Sequence, residues 1–422
     1  MKVMVVGGGG REHTIIKKLK ENKTIETIYA LPGNGGIAKD AVCVNIGAKD
    51  LDGAVSFAKE NKIDFAVVAP DDPLVLGMVD RLEEIGIPCF GPNKNAAIIE
   101  GSKVFSKNLM KKYNIPTAQY EVFTEMDKAL KYLETAPIPT VIKADGLALG
   151  KGVVIAMTRD EAFDAVKSMM QDKIFGESGS QIVVEEFLTG PEVSVLAFTD
   201  GKTLVPMVSS MDHKRALDND EGLNTGGMGT IAPNPYYTSN IADVCMKEIF
   251  IPTIEAMKNE GRTFKGCLYF GLMLTEKGPK VIEYNCRFGD PETQVVLPLL
   301  KTDLFEIFKA VANETLADIN VEFSNGSACC VVMASKGYPK AYESGFEIKV
   351  SPEFTGHLFV AGAKDDNGKM LTAGGRVLGV TATSDTLEDA IKKAYEQVKN
   401  VSFDNAFYRR DIGQRALKAK EA

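Results

Sequence analysis

The apolar residues of this chain change period several times, and each change marks an element. Lys2–Val6 is a short apolar run that reads as a buried strand. It leads into Gly7-Gly8-Gly9-Gly10-Arg11-Glu12-His13, after which Ile15, Ile16 and Leu19 fall at helical spacing. Strand, glycine-rich turn and helix open a βαβ unit, whose helix N-terminus can hold a phosphate. Further units follow, with strands ending in Leu31-Pro32-Gly33-Asn34-Gly35-Gly36, in Phe65–Ala69 before Pro70-Asp71-Asp72-Pro73, and in Pro88–Phe90 before Gly91-Pro92. In a parallel sheet the loops Gly7–His13, Leu31–Gly36 and Pro70–Pro73 gather along one edge, where ligands bind. That edge reads as a pocket for one phosphorylated sugar. A dinucleotide site is disfavoured. Read as G-x-G-x-x-G from Gly7, the third glycine is Glu12, and no acid that would grip a ribose follows the second strand. His13 either joins the pocket or simply caps and packs the start of the helix.

In the centre, Glu100-Gly101-Ser102-Lys103 opens a helix, and Pro139–Ala144 is a strand with one inward lysine, Lys143. It runs through Asp145-Gly146 and Leu147-Ala148-Leu149-Gly150-Lys151-Gly152 into a second strand, Val153–Met157. Strand, glycine loop, strand makes a flap whose backbone N–H groups can cover a triphosphate, and the glycine spacing is not that of a Walker A loop. Gln181–Leu188 is a strand ending in Glu185-Glu186-Phe187-Leu188. Extended backbone there can serve an adenine edge, while a carboxylate takes ribose hydroxyls. Glu192 and the strands Ser194–Phe198 and Leu204–Val208 come next. The charged run Asp212-His213-Lys214-Arg215 then leads to the glycine loop Asn224–Gly229, a possible phosphate and acyl-group station.

Val281-Ile282-Glu283-Tyr284-Asn285 alternates as a strand, so Glu283 and Asn285 share one face and Tyr284 points the other way. A carboxylate beside an amide oxygen suits Mg²⁺, which keeps few protein ligands. Arg287 can fork onto a carboxylate or phosphate, and Asp290, Pro291 and Glu292 lie on a constrained turn. Further on, Ser327–Ala334 reads as a buried strand, with short strands at Ile348–Val350 and Leu358–Ala361, then Gly374–Val380 and an amphipathic helix over Leu387–Val398. This part reads as a small α+β domain packed on the centre. Gly375-Arg376 reads as structural, with the border of the active site as the alternative, and Phe407–Gly413 shows no obvious chemistry.

Length allows about three domains. A net charge of −8 with no basic block excludes a nucleic-acid or anionic-membrane surface as the main partner. The seven cysteines form no C-x-x-C, and the three histidines, 13, 213 and 357, supply little general-base chemistry. Scattered thiols, an N-terminus that reads as a strand and the lack of a membrane-length apolar run lead us to expect a soluble cytoplasmic protein.

Together these residues resemble the phosphoribosylamine–glycine ligase (glycinamide ribonucleotide synthetase) family of the ATP-grasp superfamily. The likeness runs nearly end to end, through Gly9–His13, Pro32–Asn34, Glu100–Lys103, Lys143–Gly152, Glu185–Leu188, Asp212–Arg215, Asn224–Gly229, Glu283–Glu292 and Arg410–Gly413. It implies an α/β and α+β multidomain chain. A Rossmann-like parallel sheet is expected over residues 1–102, an ATP-grasp fold over 103–325 with a small mobile lid at about 120–190, and an α+β domain over 326–422. It also implies ATP-dependent joining of glycine to 5-phosphoribosylamine with Mg²⁺ or Mn²⁺, by a monomer or weak homodimer.

By the same resemblance, Lys103, Lys143, Gly150, Lys151 and Gly152 would meet ATP phosphates, and Glu185, Glu186, Leu188 and Glu192 would seat adenosine. Glu283 and Asn285 would hold the metal. Arg287, Asp212 and Lys214 would serve the chemistry. Gly9, Gly10, Arg11, Glu12, Gly33, Asn34, Asp71, Asp290, Pro291 and Glu292 would bind the sugar phosphate or glycine. Three positions depart from the family pattern: Leu149 where alanine is usual, Asp71 where glutamate is usual, and Gly8 where asparagine or serine is common. The rivals are another ATP-grasp carboxylate–amine ligase of purine synthesis and a non-catalytic ATP-binding sensor. Intact Glu283, Asn285 and Arg287 speak against the sensor.

Overall fold

The structure is a computed structural model and describes residues 1–147, 152–172 and 176–421. Its first sheet is parallel, with strands in the order Val42–Cys43, Thr27–Pro32, Lys2–Gly7, Phe65–Val68 and Cys89–Phe90. Val3 to Val6 are all fully buried, which an apolar run without alternation requires when both faces are covered. Met4 and Val6 pack with residues of the helices Leu51–Glu60 and Met78–Glu83. Val3 and Val5 pack with the helices Gly10–Leu19 and Leu304–Ala312.

A second sheet, antiparallel, runs Tyr120–Phe123, Ile182–Glu186, Thr140–Ala144, Val153–Ala156. The helices Met126–Leu133 and Arg159–Val166 back it, and its small core holds Ala129, Leu133, Ile142, Ala162, Val166 and Val184. Gly150 and Lys151, expected in the flap, lie outside the described residues. A third sheet orders Leu204–Pro206, Glu192–Thr199, Gly266–Thr275 and Gly278–Asn285, again antiparallel. Phe270, Tyr284 and Val281 from this sheet share one core with Met4 and Val6 of the first, so the first and third sheets are fused by apolar packing.

The last large sheet is built on Ser327–Ser335, all nine residues of which are buried. Its path is Met211–Asp212, Gly229–Ala232, Ser327–Ser335, Arg376–Ser384, His357–Val360, with Ala406–Phe407 pairing off it. Two of these strands come from the central stretch, because Gly229–Ala232 finds its antiparallel partner in Ala328–Val331. The helix Leu387–Val398, at the bounds its amphipathic pattern gives, covers this sheet. Among the described residues no helix is long and apolar enough to cross a membrane.

Two buried histidines tie the C-terminal part to the rest. The Val360 N–H donates to His13 Nδ1 at 2.8 Å, so the ring proton sits on Nε2, which faces Asp40 Oδ2 at 3.0 Å. His13 therefore packs; it is 3% exposed and its pKa is lowered chiefly by burial. The Gly413 N–H donates to His213 Nε2 at 3.2 Å, and His213 Nδ1 faces the Gly229 carbonyl at 3.3 Å. Burial, with Arg409 and Arg415 nearby, pushes His213 down to about 4. The unfolded chain takes up this proton near pH 6.5 and the folded protein only near 4. The contribution is therefore complete above pH 6.5 and is lost as pH falls through that window. A depression of that size amounts to on the order of a few kcal/mol. Urea unfolding should show wild type weakening more steeply than His213→Gln between pH 6.5 and 4. Parallel decline of the two proteins would remove His213 as the cause.

Candidate active site

Gly278–Asn285 is the edge strand of the third sheet, and at its end Glu283 and Asn285 fall on one face. Tyr284 points the other way, into the core, with its OH 2.9 Å from Thr253 Oγ1. A register irregularity opposite Gly271 and Leu272 leaves Ile282 as the extra residue of a bulge, and the Ile282 carbonyl accepts from Lys143 Nζ at 3.0 Å. Arg287 follows the strand end. Its guanidinium meets Glu100 Oε1 at 2.9 Å, donates to Asn285 Oδ1 at 3.1 Å and lies 4.0 Å from Asp71 Oδ2. The second Glu100 oxygen accepts the Cys286 N–H at 2.7 Å. Burial works against the Arg287 charge, but Glu100 and Asp71 outweigh it and hold the group well above its ordinary value. Burial raises Glu100, against the pull of Arg287.

Toward the second sheet, Ser102 caps the helix Lys103–Lys112, and Asp145 accepts from both Ser102 Oγ and the Val104 N–H at 3.1 Å. Lys103 Nζ donates to the Gly146 carbonyl at 2.7 Å, and the Gly152 carbonyl accepts from the Ala144 N–H at 2.8 Å. Lys107, one helical turn after Lys103 on the same face, meets Glu185 Oε2 at 2.9 Å and donates to Thr117 Oγ1 at 2.8 Å. Lys143 meets the other Glu185 oxygen at 3.0 Å. Glu185 is 4% exposed, so the expectation that its carboxylate takes ribose hydroxyls gives way to a clamp on two lysines. Glu186 faces outward, accepting from the Gln119 N–H and Lys280, and Leu188 is half-buried beside it. Glu192 pairs with Lys214 at 2.8 Å, which lowers its pKa despite burial.

The glycine-rich edge of the parallel sheet is knitted mainly to itself. Glu12 accepts the Gly9 N–H and Arg11 Nε, each at 2.6 Å, and so caps its own helix. Asn34 donates to the Gly8 and Val360 carbonyls and accepts from the Gly36 and Ile37 N–H groups. That is the whole capacity of its amide. The Asn34 side chain, expected to grip substrate, is thereby committed to the protein, whereas each Glu12 oxygen keeps a lone pair. Gly33 sits at φ +72° and abuts Gly8 closely enough that a side chain at position 8 would strike its carbonyl, so this backbone takes glycine there. Arg11 reaches the Phe288 carbonyl at 3.0 Å, and its N–H lies 3.4 Å from Asp290 Oδ2. Gln294 donates to the other Asp290 oxygen at 2.8 Å. Burial opposes the Asp290 charge, but Arg376 and Arg11 hold its pKa below the ordinary value; Asp71 is likewise lowered, by Arg287 and Arg11 against burial.

Arg376, read as structural with the border of the active site as its alternative, lies beside the turn that carries Asp290. It donates to the Gly226 and Asp290 carbonyls at 2.7 Å, joining the glycine loop to the turn that carries Asp290 and Pro291. Pro291 in turn lies against Gly227. Between the two sides sits a cluster of acids. Asp212, Glu283, Glu292, Lys214 and Tyr269 act on one another's ionisation. Burial, then Glu192 and Glu283, raise Asp212 against the pull of Lys214, and Lys214 itself is held well above its ordinary value by Glu192, Asp212 and Glu283 against burial. Glu283 has no direct side-chain partner among the described residues, and Asn285 Oδ1 has one lone pair left after Arg287. A hard-oxygen pair with free lone pairs, in a surplus of carboxylate, fits a divalent cation. Sequence reading overlooked Glu100, Lys107, Ser194 and Tyr269. Only Glu100 carried a signal, standing in the quoted Glu-Gly-Ser-Lys run.

The chain matches the phosphoribosylglycinamide synthetase family in three pieces: the N domain over residues 1–100, the ATP-grasp (A) domain over 101–293 and the C domain over 328–415. It is 47% identical over 414 residues to the phosphoribosylamine–glycine ligase of Clostridium acetobutylicum, covering 98% of this chain and 100% of that one. The crystal structure of phosphoribosylamine–glycine ligase from Thermotoga maritima superposes with a TM-score of 0.85 at 34% identity, over 98% of this chain and 100% of the other. The biotin carboxylase domain of Hydrogenobacter thermophilus 2-oxoglutarate carboxylase, solved with MgADP, ADP and bicarbonate, gives a TM-score of 0.76 at 16% identity, over 99% and 93% of the two chains. That last likeness concerns the fold alone. The expected architecture, a parallel N-terminal sheet, an ATP-grasp centre and a C-terminal α+β part, is the one these structures share.

Removing Glu185 would leave Lys107 and Lys143 buried without their shared counter-charge, and breaking such a pair costs about 3–5 kcal/mol. Glu185→Ala should therefore lower the urea midpoint by a correspondingly large amount; an unchanged midpoint would show that the clamp adds nothing to stability.

Proposed function

The chain belongs to the phosphoribosylglycinamide synthetase family, and from that premise we propose how its own residues perform the family's reaction. It is an ATP-dependent carbon–nitrogen ligase of purine synthesis, joining glycine to 5-phosphoribosylamine and giving glycinamide ribonucleotide, ADP and phosphate. The observation that carries the assignment of roles is the convergence at the end of strand Gly278–Asn285. There Lys143 reaches the strand from one side, and Arg287 turns from its end toward Glu100 and Asp71 on the other.

Lys103 and Lys143, with Gly150, Lys151 and Gly152 of the flap, would hold the ATP phosphates as positive charge. Backbone near Glu186 and Leu188 would meet the adenine, and Glu192 would meet the ribose. Glu283 and Asn285 would hold Mg²⁺ or Mn²⁺, and the bound cation would supply charge neutralisation on the transferring phosphoryl group. Arg287 grips the glycine carboxylate. One of that carboxylate's oxygens attacks the γ-phosphorus, the bond to ADP breaks, and glycyl phosphate forms. Positive charge from Lys103, Lys143 and Arg287 answers the negative charge spreading over the transferring group. The ribosylamine nitrogen then attacks the acyl carbon and phosphate leaves.

Asp212 and Lys214 would orient the amine. The backbone N–H groups of Gly9, Gly10 and Gly33 with Arg11 would hold the sugar phosphate, and Asp71 and Asp290 would take sugar hydroxyls. Seven free thiols, six of them buried, suit the reducing cytoplasm in which we place the reaction.

ADP release with glycine and freshly generated phosphoribosylamine, each omitted in turn, should require both. ADP formed only with another carboxylate or amine would overturn the named substrates, and none at all from folded, ATP-binding protein would favour a sensor. Glu283→Ala should abolish turnover while leaving the thermal melt within a few degrees of wild type. Retained turnover at ordinary Mg²⁺ would remove the metal assignment.

A further inference from the structure

Amide formation releases a proton from the attacking nitrogen, and the roles given so far name no group to receive it. Glu292 lies among Asp212, Lys214 and Arg287, the residues given the chemistry above. It is 5% exposed, and its Oε1 accepts from Tyr269 OH at 3.2 Å. Tyr269 OH is in turn 2.7 Å from Ser194 Oγ, and both of these residues are buried. The carboxylate lies directly over Gly289, where a Cβ would strike Oε2 and stand 2.8 Å from Cδ, so a side chain there would displace it. The mount is therefore fixed from two sides: a hydrogen-bonded tyrosine on one oxygen and a bare backbone beneath the other. Asp212, the alternative acid, makes no side-chain hydrogen bond to another described residue.

The charged groups that face Glu292 come from each element around it. Asp212 lies on the strand Met211–Asp212, Lys214 just beyond that strand, and Arg287 on the turn after strand Gly278–Asn285. Burial and the Asp212 charge push Glu292 up to about 7, against the pull of its own backbone N–H, Arg287 and Lys214. A carboxylate near neutrality is a suitable proton acceptor at physiological pH.

Resting on the ligase reading above, we propose that Glu292 is the base that accepts the amine proton, with Tyr269 and Ser194 as positioning residues. The nitrogen lone pair forms the new C–N bond to the acyl carbon of glycyl phosphate. The C–O bond to phosphate breaks and phosphate leaves with that electron pair. One N–H proton passes to the free Glu292 oxygen and from there to the departing phosphate.

The test separates the two half-reactions. Hydroxylamine, a stronger nucleophile that loses its proton readily, traps glycyl phosphate as glycine hydroxamate without needing the base. With glycine, ATP and hydroxylamine, Glu292→Gln should form hydroxamate within about threefold of wild type. With phosphoribosylamine it should lose amide formation by on the order of 100-fold or more, and its kcat profile should lose the acid-side limb. Tyr269→Phe, which keeps the carboxylate but frees Oε1, should lower kcat about tenfold in the amide step alone and shift the limb, with KM unchanged.

Equal loss of both half-reactions in Glu292→Gln, or full amide formation by it, would overturn the proposal, as would the same selective loss in Asp212→Asn but not in Glu292→Gln. Should Glu292→Gln fail to fold, Tyr269→Phe decides, since an unaltered amide step there would also overturn it. Wild type that yields neither hydroxamate nor amide would instead overturn the ligase reading.

Discussion

A buried cation must be paired, and the site depends on how Arg287 meets that demand. Its guanidinium is held by Glu100 from the end of the helix Lys94–Gly101 and approached by Asp71 from the edge of the parallel sheet. Glu100 in turn fixes the Cys286 backbone with its other oxygen. A charge pair with low exposure is costly to break, because removing either partner strands the other in a medium that solvates it poorly. One contact therefore locks the N-terminal sheet to the strand that carries Glu283 and Asn285. The apolar core common to Met4, Val6, Val281 and Tyr284 makes that lock rigid.

The remaining charges are arranged in opposed blocks rather than in neutral pairs. Lys107 and Lys143 share a single carboxylate, Glu185, which leaves one positive charge in excess beside Lys103. Across the site, Asp212, Glu283, Glu292 and Glu192 share Lys214. An excess of cation facing an excess of acid is poorly satisfied in the protein by itself. Charge of this kind is the sort that a polyphosphate or a divalent cation complements.

Polar groups sort themselves by whether capacity is left over. Asn34, His13 and His213 have every strong donor and acceptor occupied by backbone or neighbours, so they shape the site without addressing a ligand. Glu283, one lone pair of Asn285, and the free oxygen of Glu292 remain available. Arg376 shows a third behaviour. It is bonded wholly to backbone and to Asp290, and through them the C-terminal sheet sets the position of the turn that bears Glu292.

The sequence by itself determined the local elements and the family chemistry. Alternation in Val281–Asn285 put Glu283 and Asn285 on one face, and the uninterrupted apolar run Lys2–Val6 required a strand covered on both sides. The helix Leu387–Val398 was legible to the residue, since a stripe at helical spacing needs no distant partner to be recognised. Tertiary structure decided which polar side chains are still free. Glu185 looks like a ribose acid until Lys107 arrives from a helix far back in the chain, and Asn34 looks like a ligand until its neighbours saturate it. Strands 211–212 and 229–232 could not be assigned to the C-terminal sheet from pattern, because the second finds its partner about a hundred residues on and the first joins only through the second. Spacing along a chain reports what a residue can do; only the three-dimensional neighbourhood reports whether a neighbour has already used that capacity.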